Sequence, residues 1–412
     1  MALYAFDGTW NVDEDDPKDD TNIVRFKELY AGSNVDYLEG VGTRAGALGR
    51  IVGGLFGVGG RTRIEEMYQA LCANWADDDK VIDIVGFSRG AALAVHFANK
   101  IGDEGVRLGD GSRAEARIRF LGVFDVVGSF GLSFDTIINF QEINLGWDIG
   151  KVAGCVDQCF HAMALDERRE SFDVTRLDPD NHHDNVTEVW FRGVHSDIGG
   201  GNGNPDRSNI ALGWMVDRAR DCGVLIHEDK AQDEKYRAFD VGAAISENQD
   251  VQRDVRRAVR PGDTVHETAL PKILNVNETA CFEVRALLKY NWSGVQLIQG
   301  AAYEFEIADG DTWKDKNINC GPDGWPSDLL PWYQEALVKL FESRRRVPEA
   351  NWFELIGAVG DNDDRLFRIS TGGSDHAYVA EANGELYAFA NDLQSRYDNN
   401  EGSLMVEVKR IT

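Results

Sequence analysis

Apolar residues along this chain fall into two textures that change near residue 270. Before that point, short runs that are apolar throughout alternate with stretches of helical periodicity. "ALYAF" (2–6), "VIDIVGF" (81–87), "RIRFLGVFDVVG" (117–128) and "EVWFRGV" (188–194) read as strands buried on both faces, and "NIALGWMVDRARDCG" (209–223) reads as a helix. A long excursion follows the third of these strands. Alternation of this kind predicts a mostly parallel sheet with helices on both faces. Past Pro271 the runs shorten. "ACFEVRAL", "GVQLIQGAAYEFEIA", "LFRIS", "ELYAFAND" and "SLMVEVKRI" are separated by Gly, Asn and Asp turns, which predicts a small all-β sandwich. The boundary falls within 268–276, giving an α/β domain over 1–272 and a sandwich over 273–412.

Composition narrows the field. A chain of 412 residues with 43% hydrophobic and 10% aromatic residues is long enough for two cores. No apolar run reaches the roughly 18 residues of a membrane span. The start, "MALYAFDGTWN", has no basic segment followed by an apolar one, so it reads as a first core strand rather than a signal peptide. A net charge of −27 speaks against nucleic acid and against unaided attraction to an anionic membrane, and leaves room for cations. The six cysteines have neither disulfide-framework nor zinc spacing, and read as buried free thiols of a protein made in a reducing compartment. The acidic run "DEDDPKDD" (13–20) reads as a solvated loop.

The chemistry gathers where "VIDIVGF" meets the next helix. Gly86-Phe87-Ser88-Arg89-Gly90 is G-x-S-x-G at a strand-to-helix corner, the setting of a nucleophile elbow, and makes Ser88 the candidate nucleophile. A base is expected at His195, which follows "VTEVWFRGV" and opens the glycine-rich "HSDIGGGNG", at the carboxyl end of a strand where α/β sites form. For the acid, Asp125 comes first, because a carboxylate ending an apolar strand needs a partner. Asp197 is the rival, two residues after His195, while Asp83 inside the elbow strand reads as structural. Ser88, Asp125, His195 is the chain order of α/β-hydrolases. An oxyanion needs two converging N–H groups. Arg89 supplies one, and Gly8 or Thr9 of "FDGTWN" the other.

"FDGTWN", "EGVGT", "GFSRGAA", "FLGVFDVVGS", "HAMALDERR" and "VWFRGVHSDIGGG" occur in this order over residues 1–270. Together they closely resemble the α/β-hydrolase domain of the bacterial type VI secretion lipase effectors, though without the long insertions and membrane-docking region of the larger members. The resemblance implies a phospholipase whose triad is Ser88, Asp125 and His195, acting without a catalytic cofactor. It also implies a protein made in the bacterial cytoplasm, delivered by type VI secretion, with a secretion-machinery or immunity protein as partner.

In the second domain Asp392, Asn399 and Asn400 place hard oxygens around the "NDLQSRYDNN" turn, and Arg396 adds a backbone carbonyl. Such oxygens suit Ca²⁺, and the same residues also suit an ordinary turn. This segment, with "NWSGVQLIQGAAYEFEIADGDTW" and "GPDGW", resembles the small calcium-dependent galactophilic lectins of bacteria over residues 280–412. The resemblance implies calcium on Asp392, Asn399, Asn400 and the Arg396 carbonyl, and adds the Lys316 carbonyl. "PSDLLPWYQ" stands where those lectins carry a sugar-binding histidine. The expected protein is therefore a serine esterase acting on membrane glycerophospholipids, with a lectin-like module. Alternatives are an esterase that deacylates a glycan, and a glycan-binding protein with a silent hydrolase domain.

Overall fold

A computed structural model describes residues 1–8, 19–40, 60–128, 149–178, 183–238, 245–246, 257, 259–260, 262–307, 310–329, 340–370 and 376–412. The chain divides into two compact units, one of residues 1–241 and 246–268 and one of 242–245 and 269–412.

In the first unit the elements run β1 (Ala2–Phe6), α1 (Asn22–Leu29), β2 (Asn34–Leu38), α2 (Gly60–Ala76), β3 (Ile82–Phe87) and α3 (Ser88–Glu104). A short hairpin follows, β4 (Val106–Arg107) with β5 (Arg113–Ala114), then β6 (Ile118–Phe124), β7 (Cys159–Ala164) and β8 (Val186–Phe191). The unit closes with α4 (His195–Gly199), α5 (Pro205–Asp221) and β9 (Thr264–Val265). Seven strands form one sheet in the order β2-β1-β3-β6-β7-β8-β9, and every pairing is parallel. β1, β3 and β7 are buried along their whole length. That explains their unbroken apolar runs: with helices on both faces, neither side of the strand is left for polar residues. α2 and α3 contribute to one buried cluster with Tyr4, Ile84 and Leu121, and α1 and α5 to another with Leu3, Val85 and Phe120.

β7 lies inside the stretch read as an excursion. Its "CFHAMA" carries a histidine and no β-branched residue, so strand preference is silent there. The histidine is tolerated because His161 is paired: Nδ1 faces Glu188 Oε1 at 2.8 Å and Nε2 accepts from Val126 N–H at 3.1 Å. The acidic run divides where it is described: Asp19 is exposed, as the solvated reading expects, and its last residue is not. Asp20 is buried and bridged to Lys235 at 3.3 Å, while residues 13–18 lie outside the described residues. All six cysteines are free thiols; Cys159 and Cys320 are buried, but Cys281 is exposed and the other three are half-buried. Among the described residues no helix is long and apolar enough to cross a membrane.

The named strands of the second unit pair antiparallel: β10 (Thr279–Arg285), β11 (Asn291–Leu297), β12 (Ala302–Ile307), β13 (Trp313–Asp315), β14 (Ile318–Cys320), β15 (Asp323–Trp325), β16 (Trp352–Val359), β17 (Leu366–Arg368), β18 (Tyr378–Val379), β19 (Gly384–Ala390) and β20 (Asn400–Arg410). One sheet runs β14-β13-β20-β12-β18 with β10 also on β20, the other β11-β19-β16-β15 with β17 on β16. Both sheets feed a single core of Phe282, Phe305, Leu404 and Val406 from the first, and Leu297, Leu355 and Leu386 from the second. That shared core makes a sandwich. The long β20 organises it, pairing with β10, β12 and β13.

Candidate active site

Ser88 stands between β3 and α3 with φ of 60°, a left-handed conformation that a non-glycine residue adopts only under constraint. The two motif glycines allow it. A Cβ on Gly90 would lie 2.3 Å from the Asp7 carbonyl oxygen at the end of β1, and one on Gly86 would lie 2.7 Å from Ala91 Cα in the first turn of α3. The corner therefore turns tightly between two backbones and pushes the serine side chain out at the carboxyl edge of the sheet.

His195 begins the short helix α4 rather than an open loop. Its main-chain N–H donates to Glu167 Oε2 at 3.1 Å, and Glu167 is in turn held by Arg169 at 2.8 Å. The Phe87 and Phe172 rings lie 4.7 and 4.9 Å from the imidazole, centre to centre. Gly199 is glycine because the Phe87 ring occupies the place of its Cβ, 1.9 Å away. With its ring so confined, His195 faces Ser88 Oγ through Nε2 at 2.7 Å and Asp125 Oδ2 through Nδ1 at 2.6 Å. Nδ1–H donating to the carboxylate leaves Nε2 as an acceptor for the serine hydroxyl.

Asp125 follows β6, also at positive φ (43°), and is fully buried. All four lone-pair directions of its carboxylate are used. Oδ1 accepts from Ala164 N–H at 2.9 Å and Arg257 Nη1 at 2.6 Å; Oδ2 accepts from His195 and from Arg257 Nη2 at 3.0 Å. Burial alone would raise its pKa, but the Arg257 charge and the histidine contact outweigh it and hold the carboxyl well below the usual range. His195 is pulled below the ordinary imidazole value, by burial first and then by the Arg257 charge, against Asp125 and Glu167, which raise it.

Asp197 is elsewhere occupied. Its carboxylate accepts from Val194 N–H at 3.1 Å, Ser246 N–H at 2.9 Å and Asn202 Nδ2 at 2.9 Å, tying down the loop around α4. Asp83 is buried against Arg119 at 2.6 Å and the Tyr30 hydroxyl at 2.8 Å, a structural role. Arg89 is in the first turn of α3, where an amide has no intrahelical acceptor, and burial lowers its guanidinium pKa to about 10. Gly8 differs from expectation: its N–H donates to Asp7 Oδ1 at 2.7 Å and is already engaged. Thr9 lies outside the described residues.

Residues 3–112 and 106–218 match the sequence model of the type VI secretion system phospholipase effector family, Tle1-like, catalytic domain. The chain belongs to this family. Among solved structures, an uncharacterized protein from Pseudomonas aeruginosa is 21% identical over 58% of this chain and 49% of its own, with TM-score 0.41, so this chain spans about half of that protein's length. A structure of the Tle1 effector bound to the VgrG spike of the type VI secretion system is 18% identical over 58% of this chain and 76% of that one, TM-score 0.41. A third, the N-terminal domain of EclA, a PllA-like lectin, is 18% identical over 32% of this chain and 95% of that one, TM-score 0.23. No curated protein matches.

Sequence reading did not find Glu167 or Arg257 as parts of this site. Glu167 sits within the quoted "HAMALDERR", but nothing there marks it as the acceptor of the His195 amide. Arg257 is 132 positions from Asp125, in a run of several arginines with nothing to single it out.

In the second unit, β13 and the start of β20 bring the expected calcium residues together. Asp315 is opposite Asn400 in the ladder, the Lys316 N–H donates to the Asn399 carbonyl at 3.3 Å, and Asn399 Nδ2 donates to Asp315 Oδ1 at 3.2 Å. Lys316 has φ of 54°, and Arg396 heads the short turn Tyr397–Asn399. Asp392 Oδ2 and Asn400 Oδ1 are buried and lack a hydrogen-bond partner among the described residues. Burial, then the nearby Asp315 charge, push the Asp392 carboxyl up to about 7. Orphaned buried oxygens beside a second carboxylate fit a hard cation. Among the described residues no group of three or more His, Cys, Asp or Glu forms a metal cluster, so amide and carbonyl oxygens would complete such a site. Asp315, which sequence reading did not single out, faces this group through its contact with Asn399.

Proposed function

We propose that this chain is a serine ester hydrolase that cleaves acyl esters of membrane glycerophospholipids, with Ser88 as nucleophile, His195 as general base and acid, and Asp125 as the orienting carboxylate. The unbroken line from Ser88 Oγ through the imidazole to Asp125, at 2.7 and 2.6 Å, is the observation that carries the reading. Ser88 Oγ attacks the ester carbonyl carbon while His195 Nε2 takes the hydroxyl proton. The tetrahedral oxyanion would be met by the Arg89 N–H, with the N–H of Thr9, outside the described residues, as the expected second donor. Collapse expels the alcohol, which receives the proton from His195. Water, deprotonated by the same nitrogen, then releases the acid and restores Ser88.

The phospholipid substrate rests on family membership, and so does delivery by type VI secretion, with a secretion-machinery or immunity protein as the partner it implies. The lectin-like reading of the second unit rests on the sequence resemblance. The calcium reading is supported by the orphaned Asp392 and Asn400 oxygens. When bound, calcium would be held by Asp392, Asn399, Asn400 and the carbonyls of Arg396 and Lys316, and would offset the charges of Asp392 and nearby Asp315.

Release of fatty acid from phosphatidylglycerol–phosphatidylethanolamine vesicles, set beside release of acetate from acetylated sugars, tests the substrate class. Ser88-dependent fatty-acid release is the expected result. Acetate release alone would transfer the activity to glycans.

A further inference from the structure

We propose that Arg257 is a positioning residue that sets the working pH range of the site by clamping Asp125 and restraining the basicity of His195. This rests on the Ser88–His195–Asp125 reading. In a simple acid–histidine pair the carboxylate has one strong partner, and its full negative charge raises the histidine pKa. Here both oxygens are shared with a guanidinium fork, through Nη1 at 2.6 Å and Nη2 at 3.0 Å. The same fork donates to the carbonyls of Ala164, at 2.6 Å, and Phe172, at 2.5 Å. It therefore ties three pieces together: the acid, the end of β7, and the short turn whose Phe172 ring stands edge-on to the imidazole. The side chain is only 3% exposed, and Asp125 is fully buried, so solvent screens the pair little.

Two consequences follow. First, the acid cannot rotate, because every lone pair has a fixed donor, and the His195 tautomer is fixed with it. Second, burial disfavours the protonated imidazole, and the charged groups facing it act in both directions. Asp125 and Glu167 favour its protonated form, while Arg257 opposes it. Arg169 is paired with Glu167 and Arg192 with Asp166, so both cations are matched locally. Loss of Arg257 leaves the Asp125 carboxylate beside the ring without its paired cation, while Glu167 keeps Arg169. His195 then holds its proton to higher pH, and a base must be unprotonated to work.

The test is the pH profile of kcat/KM for p-nitrophenyl acetate with the full chain as wild type, Arg257→Gln, Arg257→Lys and Ser88→Ala. Arg257→Gln is expected to move the acid limb up by about one pH unit, as removal of a charge a few ångströms away does. Its plateau should fall about 10–100-fold, the loss found when a partner orienting a metal-bound histidine is removed. Arg257→Lys keeps the charge without the fork, so its limb stays near that of the wild type while its plateau falls. Removing one partner of a buried ion pair is strongly destabilising. If Arg257→Gln does not fold, Arg257→Lys decides alone: a reduced plateau on an unmoved limb supports the proposal, and a wild-type plateau overturns it. A folded Arg257→Gln with an unmoved limb also overturns it. Turnover surviving in Ser88→Ala would instead sink the nucleophile assignment on which the proposal rests.

Discussion

Ser88 is legible in the sequence because its chemistry needs a backbone shape that only a few residues permit. The flanking glycines record that shape: a Cβ at Gly90 or Gly86 would collide with main chain. His195 is legible for a related reason, since the glycines after it make room for Phe87 and the turn of α4. Asp125 could be named only with a rival, because a carboxylate at a strand end and one in the following loop look alike until their partners are known. Asp125 meets an imidazole and a guanidinium, Asp197 only amides and hydroxyls. Ser88→Ala and His195→Ala are each expected to abolish ester hydrolysis with the fold intact, and the double variant to be hardly worse, because such residues act as a unit. A Ser88→Ala protein with more than a few per cent of wild-type turnover contradicts this. Asp125→Asn should cost about 10⁴ in kcat by favouring the wrong tautomer. Asp197→Asn should instead lower the melting temperature with less than about a tenfold effect on kcat, since its partners are structural. Steady-state rates and melts on the two variants check the ranking, and the reverse order would give the orienting role to Asp197.

At the scale of elements, the pattern of apolar runs predicts the strands that frame the site, and misses β7, the one whose burial depends on a paired histidine. Like β1 and β3 it has solvent on neither face, but with a histidine inside it and no β-branched residue its run carries no strand signal. The end of β1 shows the same limit. Asp7 closes the strand where Gly90 presses against it, accepting from Gly8 N–H, Thr21 Oγ1 and the Tyr37 hydroxyl at 2.7, 2.9 and 2.7 Å. Burial nevertheless wins and raises its carboxyl from 3.8 to about 6. A group raised on folding contributes stability that is complete below its unfolded pKa and is lost as pH rises through the folded one. That window runs from about 4 to 6 for Asp7. Asp7→Asn removes this loss, so its stability relative to wild type should improve by about 2–3 kcal/mol between pH 4 and pH 7. Urea midpoints at the two pH values measure it, and parallel curves would count against it. Gly90→Ala should cost about 1–3 kcal/mol from overpacking against β1, and ester hydrolysis should fall with it as the elbow shifts.

The whole molecule joins an α/β unit to a sandwich, and the change of texture near residue 270 marks the join because the two architectures bury strands differently. Helix-covered strands are apolar throughout, whereas a sandwich strand with one solvent-facing side alternates, as β11 does along its full length; the central β16 is buried at every position. Asp315 escaped notice for a reason of the same scale. It reaches the Asn399–Asn400 turn only through the β13–β20 ladder, about 85 positions away in sequence. If calcium binds there, the full chain should gain roughly 2.7 kcal/mol of stability in the sandwich at a hundredfold excess over the dissociation constant. Calcium should then raise the melting temperature and a chelator lower it. Asp392→Ala should abolish the response while leaving hydrolysis of a small soluble ester unchanged, because the proposed triad is in the other unit and uses no metal. A melt indifferent to calcium would reduce the turn to a structural feature.

The central claim is that the α/β unit activates one serine, and covalent capture tests it without knowledge of the natural ester. The full chain treated with a fluorophosphonate probe at neutral pH, digested and mapped, should carry the label on Ser88. Labelling should vanish in Ser88→Ala and collapse in His195→Ala. A wild-type protein that stays unlabelled, or carries its label on another residue, would contradict the account.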